Sequence, residues 1–244
     1  MDIAVTGEGV TDYGKKKFGQ DEWEDGPVQV YLYRIARDNG VDVRLGMIER
    51  AEVEKIQLQV RSIRGLNGKS IPARKFKVLC KEKGYNYGIY YCDTDRESGA
   101  KNSDIRTTQK SYDAVYNDVV IGLDSADKKF IPMIPCRMIE NWILADKVAI
   151  NQVYGQNEEK YSLTNIEAIW GDKKNAQSNY PKCITTRLHN NSKRKDIKDK
   201  NVSEIFVDIA NVQNMDTLEK NCSISFRRFR EDYEKLLEHS LGDN

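Results

Sequence analysis

Four acidic residues are placed where carboxylates can act together on a phosphate. Glu8 lies between two glycines, Asp93 and Asp95 follow an apolar run directly, and Glu140 lies in the first turn or two of a later helical stretch. Carboxylates at close range repel one another unless a cation lies between them. Mg²⁺ and Mn²⁺ accept such oxygen ligands and can activate water for attack on a phosphate. The four residues therefore predict a metal-dependent phosphodiester-cleaving site.

Short apolar runs separated by helical patterns indicate how the chain brings these acids together. Runs at 2–6, 41–48, 87–92 and 130–134 predict strands, and helical spacing of apolar residues follows each of them. Strands that alternate with helices favour a mostly parallel sheet flanked by helices, which is an α/β fold. Ligands of such sheets bind outside the carboxyl ends of the strands, where the acids are predicted to lie.

The chain changes character at about residue 155, beyond which strand-like runs are scarce. We therefore predict a catalytic domain over 1–155 and a helical C-terminal region over 156–244 that packs on it. The predicted helices cover residues 27–38, 50–60, 73–83, 105–120, 137–146 and 224–241. Of these, 137–146 has the pattern of an amphipathic helix.

Charge is almost balanced overall, but it is unevenly distributed. The chain has 39 Lys and Arg against 38 Asp and Glu, a net charge of +1, which argues against a polycation that coats nucleic acid. Residues 61–83 and 173–200 are nevertheless strongly basic. If they flank the acids they would bind phosphates, and Tyr85, Tyr87 or Tyr180 could stack on bases.

Cysteine usage and the N-terminus bear on the compartment. The five cysteines are odd in number and show no CxxC spacing, which favours a reducing compartment over a disulfide framework. The start MDIAVTGEG lacks the pattern of a signal peptide. No run approaches the roughly 20 apolar residues needed to span a bilayer. We therefore expect a cytoplasmic protein without membrane contact.

The order of the acidic motifs resembles the TOPRIM superfamily. Gly7-Glu8-Gly9 after the first strand, Asp93-Thr94-Asp95 after the aromatic strand and an acid after the next strand all match its pattern. The run IPMIPCRMIENWILAD at 131–146 resembles a Pro-x-x-x-x-Glu-x-Trp-x-x-Ala-Asp segment. That segment belongs to small stand-alone TOPRIM proteins encoded beside ABC-type ATPases in bacterial phage-defence and overcoming-lysogenization-defect-like systems. Tyr180-Pro181-Lys182 and the run SFRRF at 225–229 match them as well.

This resemblance implies a Mg²⁺- or Mn²⁺-dependent nuclease that acts on DNA or RNA and is gated by an ABC-type ATPase in anti-phage defence. It assigns Glu8 as metal ligand or general base, Asp93, Asp95 and Glu140 as ligands, and Lys182 as a stabiliser of transition-state charge. The family often has a tighter turn after its first glutamate. It stays open whether Asp12 shares the role of Glu8, and neither the kind of nucleic acid nor the oligomeric state is predicted.

Other interpretations of the same residues remain open. Asp93 and Asp95 could cap the following helix, Glu140 could complement a helix dipole, and Trp142 is typical of a core residue. The run 65–70 ends like a phosphate-binding P-loop but lacks the first glycine, so it is interpreted as a basic loop. A non-catalytic subunit that binds a metal or nucleotide and regulates an ATPase is the alternative function.

Overall fold

The computed structural model describes the chain apart from a few short stretches. The described residues are 1–17, 19, 22–59, 65–94, 104–124, 126, 128–155 and 159–242. Among the predicted site residues Asp95 lies outside them, as do Arg61 and Arg64 of the first basic segment.

A four-stranded parallel sheet forms the centre of the fold. The strands of the described chain are β1 (Asp2–Thr6), β2 (Lys15–Lys16), β3 (Trp23–Glu24), β4 (Arg44–Met47), β5 (Tyr87–Tyr91) and β6 (Phe130–Met133). The sheet has the order β4-β1-β5-β6, while β2 and β3 form a separate antiparallel pair. Thr6 pairs in register with Tyr90, and Tyr91 with Met133. The carboxyl ends of β1, β5 and β6 therefore meet at one edge, as the parallel α/β prediction requires.

Helices connect and cover these strands. In the described chain they are α1 (Val10–Tyr13), α2 (Pro27–Asp38), α3 (Arg50–Lys55), α4 (Ser70–Glu82), α5 (Ile105–Leu123), α6 (Ile139–Ile143), α7 (Lys147–Tyr154), α8 (Pro181–Asn191), α9 (Lys195–Lys198), α10 (Val202–Val212), α11 (Met215–Asn221) and α12 (Phe226–Gly242), with a 3₁₀ turn at Ile166–Ala168. Pro27 and Pro181 each occupy the first turn of their helix, where no backbone N–H is needed. None of the described helices is long and apolar enough to cross a bilayer.

Apolar side chains on the central strands alternate between two hydrophobic clusters, one on each face of the sheet. Ile3 and Ile89 belong to the first cluster, which also contains side chains of α2 and of the C-terminal helices. Ala4 and Tyr90 belong to the second, together with side chains of α4 and α5. Because both faces are covered, all of β5 is buried, which explains its unbroken apolar and aromatic sequence.

The helical C-terminal region packs on the sheet through polar as well as apolar contacts. Leu236 and Leu237 of α12 lie in the same cluster as Ile3. The Gln213 side chain, which follows α10, donates to the carbonyls of Trp142 at 2.8 Å and Ile143 at 3.1 Å. One cluster thus joins residues from both sides of position 155, and the division of the chain at that position stays a prediction.

The segment 137–146 differs from the predicted amphipathic helix. Only Ile139–Ile143 is helical, and every residue of this turn is buried, including Glu140 and Asn141. Its polar side chains make hydrogen bonds inside the fold: Asn141 Nδ2 donates to the Ile166 carbonyl at 2.7 Å, for example, although Asn141 Oδ1 accepts no hydrogen bond from the described residues. The polar positions that suggested a solvent-facing side therefore face other protein groups. The helix predicted over 50–60 is also shorter and ends at Lys55.

Candidate active site

The turn after β1 brings Asp12 back to the end of the strand. A side chain at Gly7 would place its Cβ 2.7 Å from Cδ1 of Tyr91, so only glycine lets the chain pass this ring. Gly9 has a φ of 81°, in the left-handed region that favours glycine. Asp12 N then donates to the Gly9 carbonyl at 3.0 Å. The two glycines that frame Glu8 thus shape the turn that delivers Asp12.

Asp12 and Asp93 converge on a single phenol group. The hydroxyl of Tyr91 lies 3.0 Å from Asp12 Oδ2 and 2.8 Å from Asp93 Oδ1, and it can donate its one hydrogen to either. Tyr91 is completely buried, and Asp12 is 9% exposed. Burial raises the pKa of the Tyr91 phenol, and the charges of Asp12, Asp93 and Glu140 raise it further. Tyr91 is therefore a neutral group that fixes two carboxylates.

Glu140 and Lys182 form an ion pair beside these acids. Lys182 Nζ, from the first turn of α8, lies 3.7 Å from Glu140 Oε1 in α6. The glutamate side chain is 6% exposed, whereas 58% of the lysine side chain is exposed. Burial lowers the pKa of Lys182, but the charges of Glu140, Asp12 and Asp93 raise it more. Asp12, Asp93, Glu140 and Lys182 thus share one electrostatic neighbourhood.

Glu8 lies at the same edge of the sheet, but it contacts cations. Its Oε1 accepts a hydrogen bond from Lys69 in the loop before α4, and Arg50 Nη1 lies 3.7 Å from its Oε2. Both Glu8 and Asp93 are electrostatic neighbours of the buried Cys92 thiol, whose pKa burial raises to about 12. Glu8 therefore belongs to this edge, with a charge balanced by two basic side chains.

A threonine ties the turn after β5 to the segment that carries Glu140. Thr94 Oγ1 lies 3.3 Å from the Pro135 carbonyl and also donates to the Cys136 carbonyl. Thr94 is buried, so the chain directly after Asp93 is held against the β6–α6 connection. Asp95 lies outside the described residues.

The carboxylates of this site have the donor chemistry that suits a small divalent cation. Among the described side chains, no group of three His, Cys, Asp or Glu is arranged to hold a metal ion. Mg²⁺ is usually held by one or two carboxylates, with water and substrate phosphates completing its shell. Asp93 and Asp12, which share the Tyr91 hydroxyl, supply two such carboxylates, and Glu140 lies in the same electrostatic neighbourhood.

Three contributors to this site were missed in the sequence. Tyr91 was assigned only to a strand, although it lies two residues before Asp93 and so faces the same side. Lys69 and Arg50 were assigned to a basic loop and a helix, and nothing local in the sequence pairs them with Glu8. Trp142, in contrast, is fully buried, as its core interpretation predicted.

Asp146, the other acid of the 131–146 segment, has a structural role. Asp146 Oδ1 accepts from Val148 N at 2.9 Å and so caps α7, while its Oδ2 accepts from Asn214 N at 2.9 Å. Both oxygens are therefore used to join α7 to the C-terminal region.

Comparison with known proteins gives no further assignment. No protein-family model matches the chain, and no curated protein and no solved structure matches it.

Proposed function

We propose that the chain is a Mg²⁺- or Mn²⁺-dependent nuclease of the TOPRIM type that hydrolyses phosphodiester bonds of DNA or RNA. The observation that carries this proposal is the convergence of Asp12 and Asp93 on the Tyr91 hydroxyl, beside the Glu140–Lys182 pair. Carboxylates for a hard cation and an ammonium group for a phosphate are the two requirements of such a site.

The side chains divide into those that hold the ion and one that binds the phosphate. Asp93 and Asp12 would hold Mg²⁺ directly and Glu140 through water; the ion, when bound, neutralises phosphate charge and lowers the pKa of water. Lys182 has an exposed ammonium group, and its ion pair with Glu140 holds that group beside the proposed ion. The Tyr91 hydroxyl restricts the rotamer of Asp93, which preorganises the carboxylate.

Two further acids stay in the proposal on the strength of the sequence resemblance. Glu8 is proposed as a ligand or general base, because it lies two residues beyond β1, the strand next to β5, at the same sheet edge. Asp95 is proposed as a further ligand, two residues beyond Asp93.

The two basic segments support nucleic acid as the substrate. Lys69 from the first segment reaches Glu8, and Lys182 from the second reaches Glu140, so each segment sends one cation to the acids. Neighbouring lysines and arginines would bind flanking phosphates, with an affinity that falls as salt rises. The gating ABC-type ATPase, the anti-phage setting and the cytoplasmic location rest on the sequence resemblance alone.

The proposal is tested by comparing Asp93→Asn with Asp2→Asn. Asp2 makes an exposed ion pair with Arg44 at the opposite end of β1, so it is a matched control for the same chemical change. The assay uses end-labelled single- and double-stranded DNA and RNA with Mg²⁺, Mn²⁺ or EDTA. We expect cleavage that requires the metal, a rate about 100-fold or more lower for Asp93→Asn, and no change for Asp2→Asn.

Equal cleavage by Asp93→Asn and wild type would refute the assignment of the site. If the wild type binds Mn²⁺ but cleaves none of the substrates with the ATPase present or absent, the alternative of a regulatory metal-binding subunit is favoured instead. Measuring Mn²⁺ binding by calorimetry alongside cleavage separates these two results.

A further inference from the structure

Trp170 is a tryptophan that the hydrophobic core does not use. Trp142 is fully buried, and Trp23 packs against the first hydrophobic cluster. Trp170 is only partly buried and belongs to neither of the two clusters formed by the described residues. A large aromatic ring outside the core at the protein surface has apolar area that a ligand can cover.

The surroundings of Trp170 are aromatic and cationic. Its ring meets that of Tyr180 edge to face, with centroids 5.0 Å apart and planes at 89°. The guanidinium of Arg137 lies 5.1 Å from the Trp170 centroid, and Lys173 Nζ lies 5.4 Å from it. Arg137 is buried but Lys173 is exposed, so the lysine is the cover that an incoming ligand can displace.

The backbone after Trp170 packs closely against the segment that carries Tyr180. A Cβ on Gly171 would lie 2.6 Å from Tyr180 N and 3.0 Å from Asn179 N, so these two backbone segments are in direct contact. Tyr180 itself is 5% exposed. It therefore supports the Trp170 ring from within the fold and is not itself the exposed stacking surface that the sequence suggested.

Trp170 lies beside the candidate active site. The residue before it, Ile169, accepts a 3.5 Å hydrogen bond at its carbonyl from Asn141, the neighbour of Glu140. Tyr180 lies two residues before Lys182 and is among its electrostatic neighbours. The aromatic pair is thus connected on both sides to the Glu140–Lys182 ion pair.

We propose that Trp170 stacks on an unpaired nucleobase next to the scissile phosphate, which makes single-stranded nucleic acid the substrate class. This inference rests on the proposed nuclease function and adds to it a specificity for single strands. In a duplex the faces of the bases are covered by their neighbours, so an aromatic face selects a base that is unstacked. Lys173, displaced from the ring, then lies close to the backbone phosphate of the stacked nucleotide.

The test measures binding in EDTA, where cleavage does not contribute. Trp23→Phe serves as the background, so that Trp170 is the only partly exposed tryptophan and its fluorescence reports stacking. The probes are short single-stranded DNA and RNA, the same strands with an abasic site, and the corresponding duplexes. We expect the intact single strands to quench the background protein. Affinities of all variants, measured from the fluorescence anisotropy of dye-labelled strands, should be about 10- to 100-fold weaker for Trp170→Ala and within a few-fold of the background for Trp170→Phe.

A salt titration separates stacking from charge. Trp170→Ala is expected to leave the slope of log affinity against log salt unchanged, whereas Lys173→Ala lowers it by about one. Should Trp170→Ala unfold, Trp170→Leu removes the ring while keeping a large apolar side chain. Equal affinity for intact and abasic strands, or for Trp170→Leu and the background, would overturn the inference.

The outcome is independent of the test of catalysis. If quenching requires an intact base but the protein cleaves none of the substrates, the single-strand site stands and the nuclease proposal is refuted. If cleavage requires the metal and is lost in Asp93→Asn, but binding is the same with and without the Trp170 ring, the nuclease proposal stands and the Trp170 site is refuted.

Discussion

The ammonium group of Lys69 contacts the carboxylate of Glu8, across 61 residues of sequence. Both side chains are largely shielded, at 18% and 20% exposure, and Arg50 adds a second positive charge. The Lys69 ammonium group, a cation of the protein itself, therefore lies against Glu8, the first acid of the candidate site. Any divalent ion that uses Glu8 as a ligand must compete with that ammonium group.

Removal of this competitor is expected to strengthen metal binding. We predict that Lys69→Ala raises the affinity for Mn²⁺ by roughly three- to tenfold, because a partly exposed ion pair of this kind contributes on the order of 1 kcal/mol. Lys83→Ala is the control, since Lys83 pairs with Glu52 at 2.7 Å in an exposed ion pair elsewhere. Calorimetric titration of both variants would show the effect, and an affinity unchanged or lowered in Lys69→Ala would contradict it.

The Tyr91 hydroxyl is expected to act on the metal through Asp93 and Asp12. Tyr91→Phe removes the group that orients both carboxylates, and loss of such a partner typically weakens metal binding about 10-fold or more. Tyr116→Phe is the matched control, because Tyr116 makes a buried hydrogen bond to Asp232 in another part of the fold. Mn²⁺ affinity should fall in the first variant only. Equal affinities for the two variants would show that Tyr91 has only a structural role.

Gln213 is expected to be a main anchor of the C-terminal region. It is fully buried and accepts from the Tyr31 hydroxyl at 2.6 Å while donating to two carbonyls of α6. Gln213→Ala removes all three hydrogen bonds and leaves the buried Tyr31 hydroxyl without this acceptor, so we predict a loss of about 2–4 kcal/mol in the free energy of unfolding. Tyr31→Phe removes one bond only and should cost less. Urea denaturation would measure both, and a larger loss in Tyr31→Phe would argue against this ranking.

Glu167 is expected to make stability depend on pH. The residue is 2% exposed, and burial raises its pKa above the ordinary 4.5, although hydrogen bonds from Ser225 and the amides of residues 224 and 225 oppose the shift. A carboxyl with the higher pKa in the folded state stabilises the protein below its ordinary pKa, and this contribution is lost as pH rises through the folded-state pKa. The unfolding free energy of wild type minus that of Glu167→Gln should therefore decrease between about pH 4 and pH 7. A difference that increases with pH would mean that the hydrogen bonds dominate.

One thiol is expected to react in the native protein. All five cysteines are free, and burial raises the pKa of Cys80, Cys92, Cys136 and Cys222. Only Cys183 is partly accessible. A colorimetric thiol reagent at neutral pH should titrate a single fast group, because the thiolate is the reactive form. That group should disappear in Cys183→Ser, and fast reaction of a second thiol in that variant would contradict the burial of the other four.

Where the pattern of apolar residues is clear, the sequence predicts the fold well. The runs that end at Thr6 and Tyr91 form strands, as predicted. Their apolar residues have no helical spacing, and glycine or acidic residues follow each run. The amphipathic helix predicted over 137–146 was wrong for a physical reason. Helical spacing of apolar residues does not distinguish a polar group in solvent from one that bonds to another chain segment. The Asn141 amide nitrogen and the Asp146 carboxylate belong to the second kind.

By itself, the sequence determined that acids follow parallel strands and so lie at one edge of the sheet, because carboxyl ends of such strands coincide. Only the tertiary structure decided which charges meet there. Asp12 joins Asp93 through a tyrosine, and Glu8 is paired with a distant lysine. These choices depend on strand register and on loops that pack across the edge. Such contacts join residues far apart in the chain, and no local pattern encodes them.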